Sequence, residues 1–146
     1  MQSYEDHIDI DASLAVVWAL TVDIESWPLM FSTVTHVERV DNAPLVVGSQ
    51  ARIKQPGQPT RTWTVTDLQP ERIFAWSTSA KGYTMTATHT LAALSTSRTS
   101  NRLRIDLDGP LAGIVDALAG RKLRKILATE NIGFQKAAVS GTQPRA

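Results

Sequence analysis

The sequence predicts an α+β domain in which an antiparallel sheet of about seven strands curves around one long C-terminal helix. Three observations carry this prediction. Apolar residues recur at helical spacing between Asp11 and Thr33; the period changes to 2 from Val34 to Asp108, with turn signals between the runs; and helical spacing returns after Gly109-Pro110. The 146 residues are read as one domain, 1–146. A chain of this length buries roughly 70% of the surface its unfolded form exposes, so it needs no disulfide or structural metal.

The first stretch, Tyr4 to Ile10, reads as a strand, and Asp11-Ala12-Ser13 supplies small polar residues suited to a helix start. Leu14, Val17, Trp18 and Thr21 then form a stripe to about Asp23. A second short helix, Glu25 to about Thr33, accommodates Pro28 in its first turn, where a missing N–H breaks no bond. Turn signals follow at residues 41–44, 56–59, 70–71, 81–82 and 95–101, separating about six strands. The clearest strand is Tyr83 to Leu91, where Tyr83, Met85, Ala87, His89 and Leu91 alternate with four threonines, giving one buried and one wet face. Leu103, Ile105 and Leu107 alternate with Arg102, Arg104, Asp106 and Asp108 in the same way, as do Trp63 and Val65 with their threonine neighbours.

After Gly109-Pro110 a helical stripe runs through Leu111, Ile114, Val115, Leu118, Leu123, Ile126, Leu127 and Phe134 to about Val139, roughly 40 Å. Each interior glycine, Gly113, Gly120 and Gly133, costs about 1 kcal/mol relative to Ala, which predicts a break near Gly120. Residues 140–146 are small and polar and read as a frayed tail.

Composition excludes several functions. With no Cys, thiol catalysis, zinc–thiolate sites and iron–sulfur clusters are absent. Fifteen basic against 14 acidic residues leave a formal charge of +1, which gives no global field that would draw the chain to nucleic acid or to an anionic membrane. No segment approaches the roughly 18 apolar residues of a membrane span, so no integral membrane association is expected and the cytoplasm is the expected compartment. Pro56-Gly57-Gln58-Pro59 lacks the second Gly and the Lys of a phosphate loop. His7 and His36 belong to no cluster at metal-ligand spacing; neither a metal site nor any other cofactor is expected.

A curved sheet gripping one helix leaves room for a small-molecule pocket, and several residues are placed to line it. Trp63 and Trp76 share apolar strand faces with Val65 and Phe74, which suits either cavity lining or core filling. His89 points inward with Tyr83 and Met85, where its imidazole is either a satisfied core group or an acid–base residue near neutral pH. Leu127 and Glu130 fall on one side of the last helix, so Glu130 is either a desolvated carboxylate with a raised pKa or a solvated residue where the stripe drifts outward. Alternation also turns Asp67 inward. Arg121, Lys122, Arg124 and Lys125 could contact an acidic partner or lipid headgroups, but without interleaved aromatics they read as a solvated helix face.

The segment Ala12-Ser13-Leu14-Ala15-Val16-Val17-Trp18, followed by Asp23-Ile24-Glu25-Ser26-Trp27-Pro28 and Phe31-Ser32, resembles the opening of the polyketide cyclase/dehydrase and lipid-transport family. That family belongs to the START-related superfamily (SRPBCC) with the helix-grip fold, and the nearest likeness is to tetracenomycin-type aromatase/cyclases. The likeness continues more weakly through Trp63-Thr64-Val65, Pro70-Glu71-Arg72 and Gly109-Pro110 to Asn131, covering nearly the whole chain in order. It implies that Trp27 and Phe31 line the cavity mouth and that Asn131 faces the cavity. The chain departs from the aromatase/cyclases where Thr64, Thr66 and Leu68 replace aromatic, Ser and Arg groups, and where Leu123 stands in place of a His. Those departures remove polar anchors for a poly-β-ketone chain, and fold likeness alone does not assign an activity. Two functions follow as expectations: binding of a small hydrophobic molecule (lipid, isoprenoid, quinone or aromatic polyketide-like), or, as the alternative, aromatase/cyclase or dehydratase chemistry with His89 or Glu130 as the catalytic residue.

Overall fold

The computed structural model describes residues 2–140. Seven strands, β1 (Gln2–Ile10), β2 (His36–Arg39), β3 (Gln50–Lys54), β4 (Arg61–Gln69), β5 (Ile73–Ala80), β6 (Tyr83–Ser95) and β7 (Arg98–Asp108), form one antiparallel sheet in the order β1-β7-β6-β5-β4-β3-β2. Helix α1 (Leu14–Val22), a 3-10 turn (Ile24–Ser26) and the single-turn α2 (Trp27–Met30) separate β1 from β2, and α3 (Ala112–Val139) closes the chain. The α+β, helix-grip arrangement is the one predicted.

Local chemistry explains the element ends. The Ser13 hydroxyl accepts the Val16 N–H at 3.3 Å and caps α1. Pro28 sits in the first turn of α2, as its missing N–H requires. Gly109 ends β7 at φ +115°, and a Cβ there would lie 2.7 Å from the Gly82 carbonyl oxygen, so backbone closeness as well as dihedral angle demands glycine.

Four sequence expectations are corrected. The second helical piece is not one helix from Glu25 to Thr33 but a 3-10 turn followed by a single α-turn. The turn signal at 95–101 collapses to a tight reversal, because β7 begins at Arg98 and its inward Thr99 and Asn101 are fully buried. A bulge between Val65 and Asp67 shifts the alternation of β4: Val65 faces Trp76, Leu68 faces Phe74, and Asp67 pairs with Ala75 on the other face. Asp67 therefore does not point inward. Finally, α3 is continuous through Gly120, and Leu111, Ile114 and Leu118 are exposed rather than part of the buried stripe. The tail from 141 to 146 lies outside the described residues.

The glycines of α3 have a packing reason. A Cβ on Gly133 would run into the Phe31 ring and lie 2.6 Å from the Met30 carbonyl oxygen, so the missing side chain lets α3 press against α2. A Cβ on Gly120 would come 2.8 Å from Asp116 Oδ1 and 3.3 Å from the Tyr4 hydroxyl. The helical cost of glycine is thus exchanged for close contact with neighbouring elements.

Helix α3 rests on β1 and β7 and touches α1 and α2. A buried polar relay holds it there. Asn101 Nδ2 of β7 donates to Asn131 Oδ1 at 2.8 Å, and Asn131 Nδ2 donates to Asp6 Oδ2 of β1 at 2.7 Å. Both amides are essentially inaccessible, at 0% and 1% exposure, so these bonds form in a medium that penalises any unpaired partner. A second clamp lies farther along the same face of β1, where the Tyr4 hydroxyl donates to Asp116 and the Arg124 guanidinium lies 4.9 Å above the Tyr4 ring. Burial, then the bond to Asp116, pushes the Tyr4 phenol up to about 12. Among the described residues, no helix is long and apolar enough to cross a membrane.

Two substitutions test how α3 is held. Gly133→Ala is expected to destabilise the fold by about 1–3 kcal/mol through overpacking. Asn131→Leu strands Asn101 and Asp6 and is expected to cost about 2–4 kcal/mol. Urea unfolding checks both; a change under about 0.5 kcal/mol for Asn131→Leu would show that the relay does not hold the helix.

Candidate functional site

Because α3 rests on the β1–β7 side, the concave face formed by β3 to β6 is left partly uncovered, and a cavity of about 330 Å³ opens between that face and the helix. Its wall is aromatic and aliphatic: Trp27 from α2, Ile53 from β3, Trp63 from β4, Trp76 from β5, Tyr83, Met85 and Ala87 from β6, Leu103 and Ile105 from β7, and Val115, Leu123, Ile126 and Leu127 from α3. Polar groups reach it at separate points: His89, Thr78, Glu130 with Thr33, and, from the β3–β4 turn and its edges, Gln55, Gln58 and Arg61.

Trp27 organises one end of this space. Its indole N–H donates to the Leu20 carbonyl at 3.3 Å, which fixes the ring. Around it stand Phe31, Phe74, Trp76, His89 and Phe134, with ring centroids 5.3–6.4 Å away. Trp76 passes the contact on to Trp63 at 5.6 Å. Most of these contacts are edge-on or tilted, as the quadrupoles of aromatic rings prefer.

His89 is held within this aromatic group, with Trp27 at 5.4 Å, Phe74 at 5.6 Å and Phe134 at 5.8 Å, and its Nδ1 is buried without a hydrogen-bond partner among the described residues. Burial with no compensating carboxylate pushes the imidazole down to about 4. Of the two readings open for His89, neither holds in full: the imidazole is neutral at pH 7 rather than titrating near neutrality, and as a core group it leaves Nδ1 without a partner among the described residues. The group that does titrate near neutrality is Glu130. Burial raises its carboxyl to about 7, and the Thr33 hydroxyl, donating to Oε2 at 2.9 Å, only partly offsets that effect. Glu130 faces the cavity from α3 and is half-buried there, rather than standing on the outer face of the helix.

Trp27, Trp63, Trp76, Tyr83, Met85, His89, Leu127 and Glu130 thus line one cavity. Phe31 and Asn131 do not. Phe31 packs on Gly133 and Phe134 behind Trp27, and Asn131 turns toward β1 and β7, about 100° around α3 from Glu130, into the relay with Asn101 and Asp6. Sequence reading missed Thr33, Arg61 and Lys122. Thr33 lies in an irregular segment with no period to place it, whereas Lys122 had a legible signal, seven residues after Val115 and four before Ile126 on the cavity edge of the helix.

Comparison with known proteins agrees with this geometry. A profile of the "Polyketide cyclase / dehydrase and lipid transport" family matches residues 1–138. The chain belongs to the polyketide cyclase/dehydrase and lipid-transport family. No curated protein matches the chain. Among solved structures, this family member resembles the ZhuI aromatase/cyclase of Streptomyces sp. R1128, with a TM-score of 0.69 and 19% identity over 96% of this chain and 98% of that one. It also resembles a START superfamily protein from Mycobacterium smegmatis, with a TM-score of 0.75 and 14% identity over 96% and 99% of the two chains. The di-domain aromatase/cyclase BexL of the BE-7585A biosynthetic pathway aligns with a TM-score of 0.74 and 19% identity over 94% of this chain. This chain spans about half of BexL, 47% of its length. Likeness at such identities shows the helix-grip fold and leaves the chemistry to the site.

The two shifted groups give opposite stability profiles. His89 is depressed below its unfolded value, so its contribution is complete above about pH 6.5 and is lost as pH falls toward about 4. Glu130 is raised, so its contribution is complete below about pH 4.5 and is lost as pH rises through about 7. Between those limits the slopes oppose one another. Glu130→Gln is expected to gain stability relative to wild type, on the order of 2 kcal/mol, between pH 4.5 and 7.5. His89→Gln is expected to gain as pH falls from 6.5 to 4. Thermal unfolding across pH measures both differences, and parallel curves for wild type and Glu130→Gln would mean that the carboxylate is solvated.

Proposed function

We propose that the protein binds a small hydrophobic molecule, a lipid, isoprenoid, quinone or aromatic polyketide-like compound, in the cavity between the sheet and α3. The family and fold support a hydrophobic-ligand or cyclase role at the coarse level. The observation that carries the binding reading is the wall itself: a mostly apolar, aromatic and aliphatic surface around about 330 Å³ into which His89, Glu130 and Arg61 bring polar groups. That volume is at the small end of ligand pockets and suits a compact ring system or a short chain. Burying about 300 Å² of apolar ligand surface at about 25 cal/mol per Å² gives roughly 7 kcal/mol before association costs, which supports weak to micromolar affinity. Neutral His89 would accept a hydrogen bond from a ligand hydroxyl, and protonated Glu130 would donate one to a ligand carbonyl.

Glu130 also favours a second reading. A carboxyl raised to about 7 on α3 and a neutral imidazole on β6, both lining the cavity, are suited to exchanging a proton with an enolisable ketone while the tryptophans hold the substrate. This is the aromatase/cyclase or dehydratase-like alternative. It lacks the His that Leu123 replaces and the polar groups that Thr64, Thr66 and Leu68 replace.

Tryptophan fluorescence separates the two readings. Titration with a fatty acid, a quinone and a planar polyketide mimic is expected to give saturable quenching for at least one class. Ala87→Leu, which fills the cavity, is expected to weaken binding about tenfold or more, while Glu130→Gln shifts affinity only modestly. Turnover of a poly-β-ketone mimic that falls about a hundredfold in Glu130→Gln would replace the binding reading with the catalytic one. Wild-type quenching that is unchanged in Ala87→Leu would place any ligand outside the cavity.

A further inference from the structure

Five large apolar residues on or beside α3 are exposed: Ile132 and Val139 toward its C-terminal end, and Leu111, Ile114 and Leu118 grouped near its start. Leu111 just before the helix, and Ile114, Leu118, Arg121 and Lys125 within it, follow one another at intervals of three and four residues. At about 100° per residue they fall within an arc of about 80°, forming a stripe about 21 Å long. Leu118 is 84% exposed and Ile114 56%. Directly beside the stripe, one helical step around, lie Val115 and Lys122, which belong to the cavity wall. The stripe thus borders the cavity on its solvent side.

Its charge is one-sided. From Ala117 to Thr129 the helix carries Arg121, Lys122, Arg124 and Lys125 and no acid. Arg124 leans over Tyr4 on another side of the helix, whereas Arg121 and Lys125 are exposed, and among the described residues no ion pair involves either of them. At the other end, the Leu111 N–H donates to the Gly82 carbonyl at 2.9 Å, which brings the exposed Lys81 of the β5–β6 turn next to the apolar part. Of the nearby acids, Asp116 is taken up by the Tyr4 hydroxyl, and Asp108 stands at the end of β7. Three exposed aliphatic side chains with cations at both ends match an anionic lipid surface: the aliphatic groups enter the acyl boundary while the cations meet phosphates. A purely acidic protein partner would not need Leu118 and Ile114 exposed in line with the charges.

We propose that the Leu111–Ile114–Leu118–Arg121–Lys125 stripe of α3 docks the protein reversibly on anionic phospholipid membranes, with the cavity edge formed by Val115 and Lys122 turned toward the bilayer. The docking stands on the surface alone; its use, passing an apolar molecule between bilayer and cavity, rests on the hydrophobic-ligand reading above.

Vesicle sedimentation tests the docking directly. The full chain is expected to pellet with mixed phosphatidylcholine/phosphatidylglycerol vesicles at low salt, to stay in solution with phosphatidylcholine alone, and to be released at about 0.5 M salt. Leu118→Asp and the double variant Arg121→Glu/Lys125→Glu are each expected to weaken binding on the order of tenfold or more, with circular dichroism and thermal midpoint unchanged because all three side chains are exposed. Failure to pellet with the mixed vesicles at low salt overturns the proposal. So does binding that persists in Leu118→Asp, which would be plain charge adsorption, or a dimer in solution that Leu118→Asp dissociates, which would assign the stripe to a second copy of this chain. Ligand quenching in the stripe variants, measured without vesicles, stays at the wild-type level whether docking succeeds or fails, so the two readings fall separately.

Discussion

The seating of α3 through buried amides is the constraint on which the rest of this structure depends. Asn131 bonds Asn101 on β7 and Asp6 on β1, and an apolar core offers neither amide another partner, so the helix has one favourable position along and around its axis. Hydrophobic contact alone would let a long helix slide or rotate over a concave sheet at little cost, because apolar burial has no direction. Gly133 adds a steric condition by admitting Phe31 and the Met30 carbonyl against the helix backbone. Together these contacts hold α3 to the β1–β7 side, and the uncovered concavity of β3 to β6 becomes the cavity.

The cavity's electrostatics follow from the same arrangement. His89 faces inward from β6 into a ring of aromatic side chains that supply no countercharge, so it stays neutral. Glu130 is carried to the wall by the rotation of α3 that the relay sets, and there it has one hydroxyl donor and no cation to offset its desolvation. His89 and Glu130 are both uncharged in mildly acidic buffer, and Glu130 acquires a carboxylate charge near neutrality. This explains how one apolar space can suit both a binding function and a proton-transfer function, and why the distinction rests on the ligand rather than on the fold.

The same rotation that turns Leu123, Leu127 and Glu130 toward the cavity turns Leu111, Ile114 and Leu118 toward water. A helix with apolar residues on more than one side cannot bury all of them against a single concave sheet. Periodicity therefore overstated the buried stripe. It counted every apolar residue in phase with a helix, whereas the sheet covers only the sector that the amide relay selects.

Much of the fold was legible from local chemistry. The alternation of Tyr83 to Leu91, the Ser13 cap and the Gly109-Pro110 boundary each act over a few residues, and the matching residues of the opening segment identified the family. The inward face of β6 carrying Tyr83, Met85 and His89, and the strand tryptophans Trp63 and Trp76, followed from period 2 alone. Other features depended on contacts between residues far apart in the chain. The bulge that turns Asp67 outward is set by pairing with β5, the role of Asn131 by partners 30 and 125 residues away, and the burial that lowers His89 and raises Glu130 by elements the sequence does not place side by side. The sequence by itself determined which elements form and which faces of the strands are apolar, because those depend on neighbouring residues and on fixed backbone periods. Only the tertiary structure decided where α3 lies, and with it the size of the cavity, the charge of its two titratable groups and the stripe left in water, because that position is chosen by long-range hydrogen bonds and close packing.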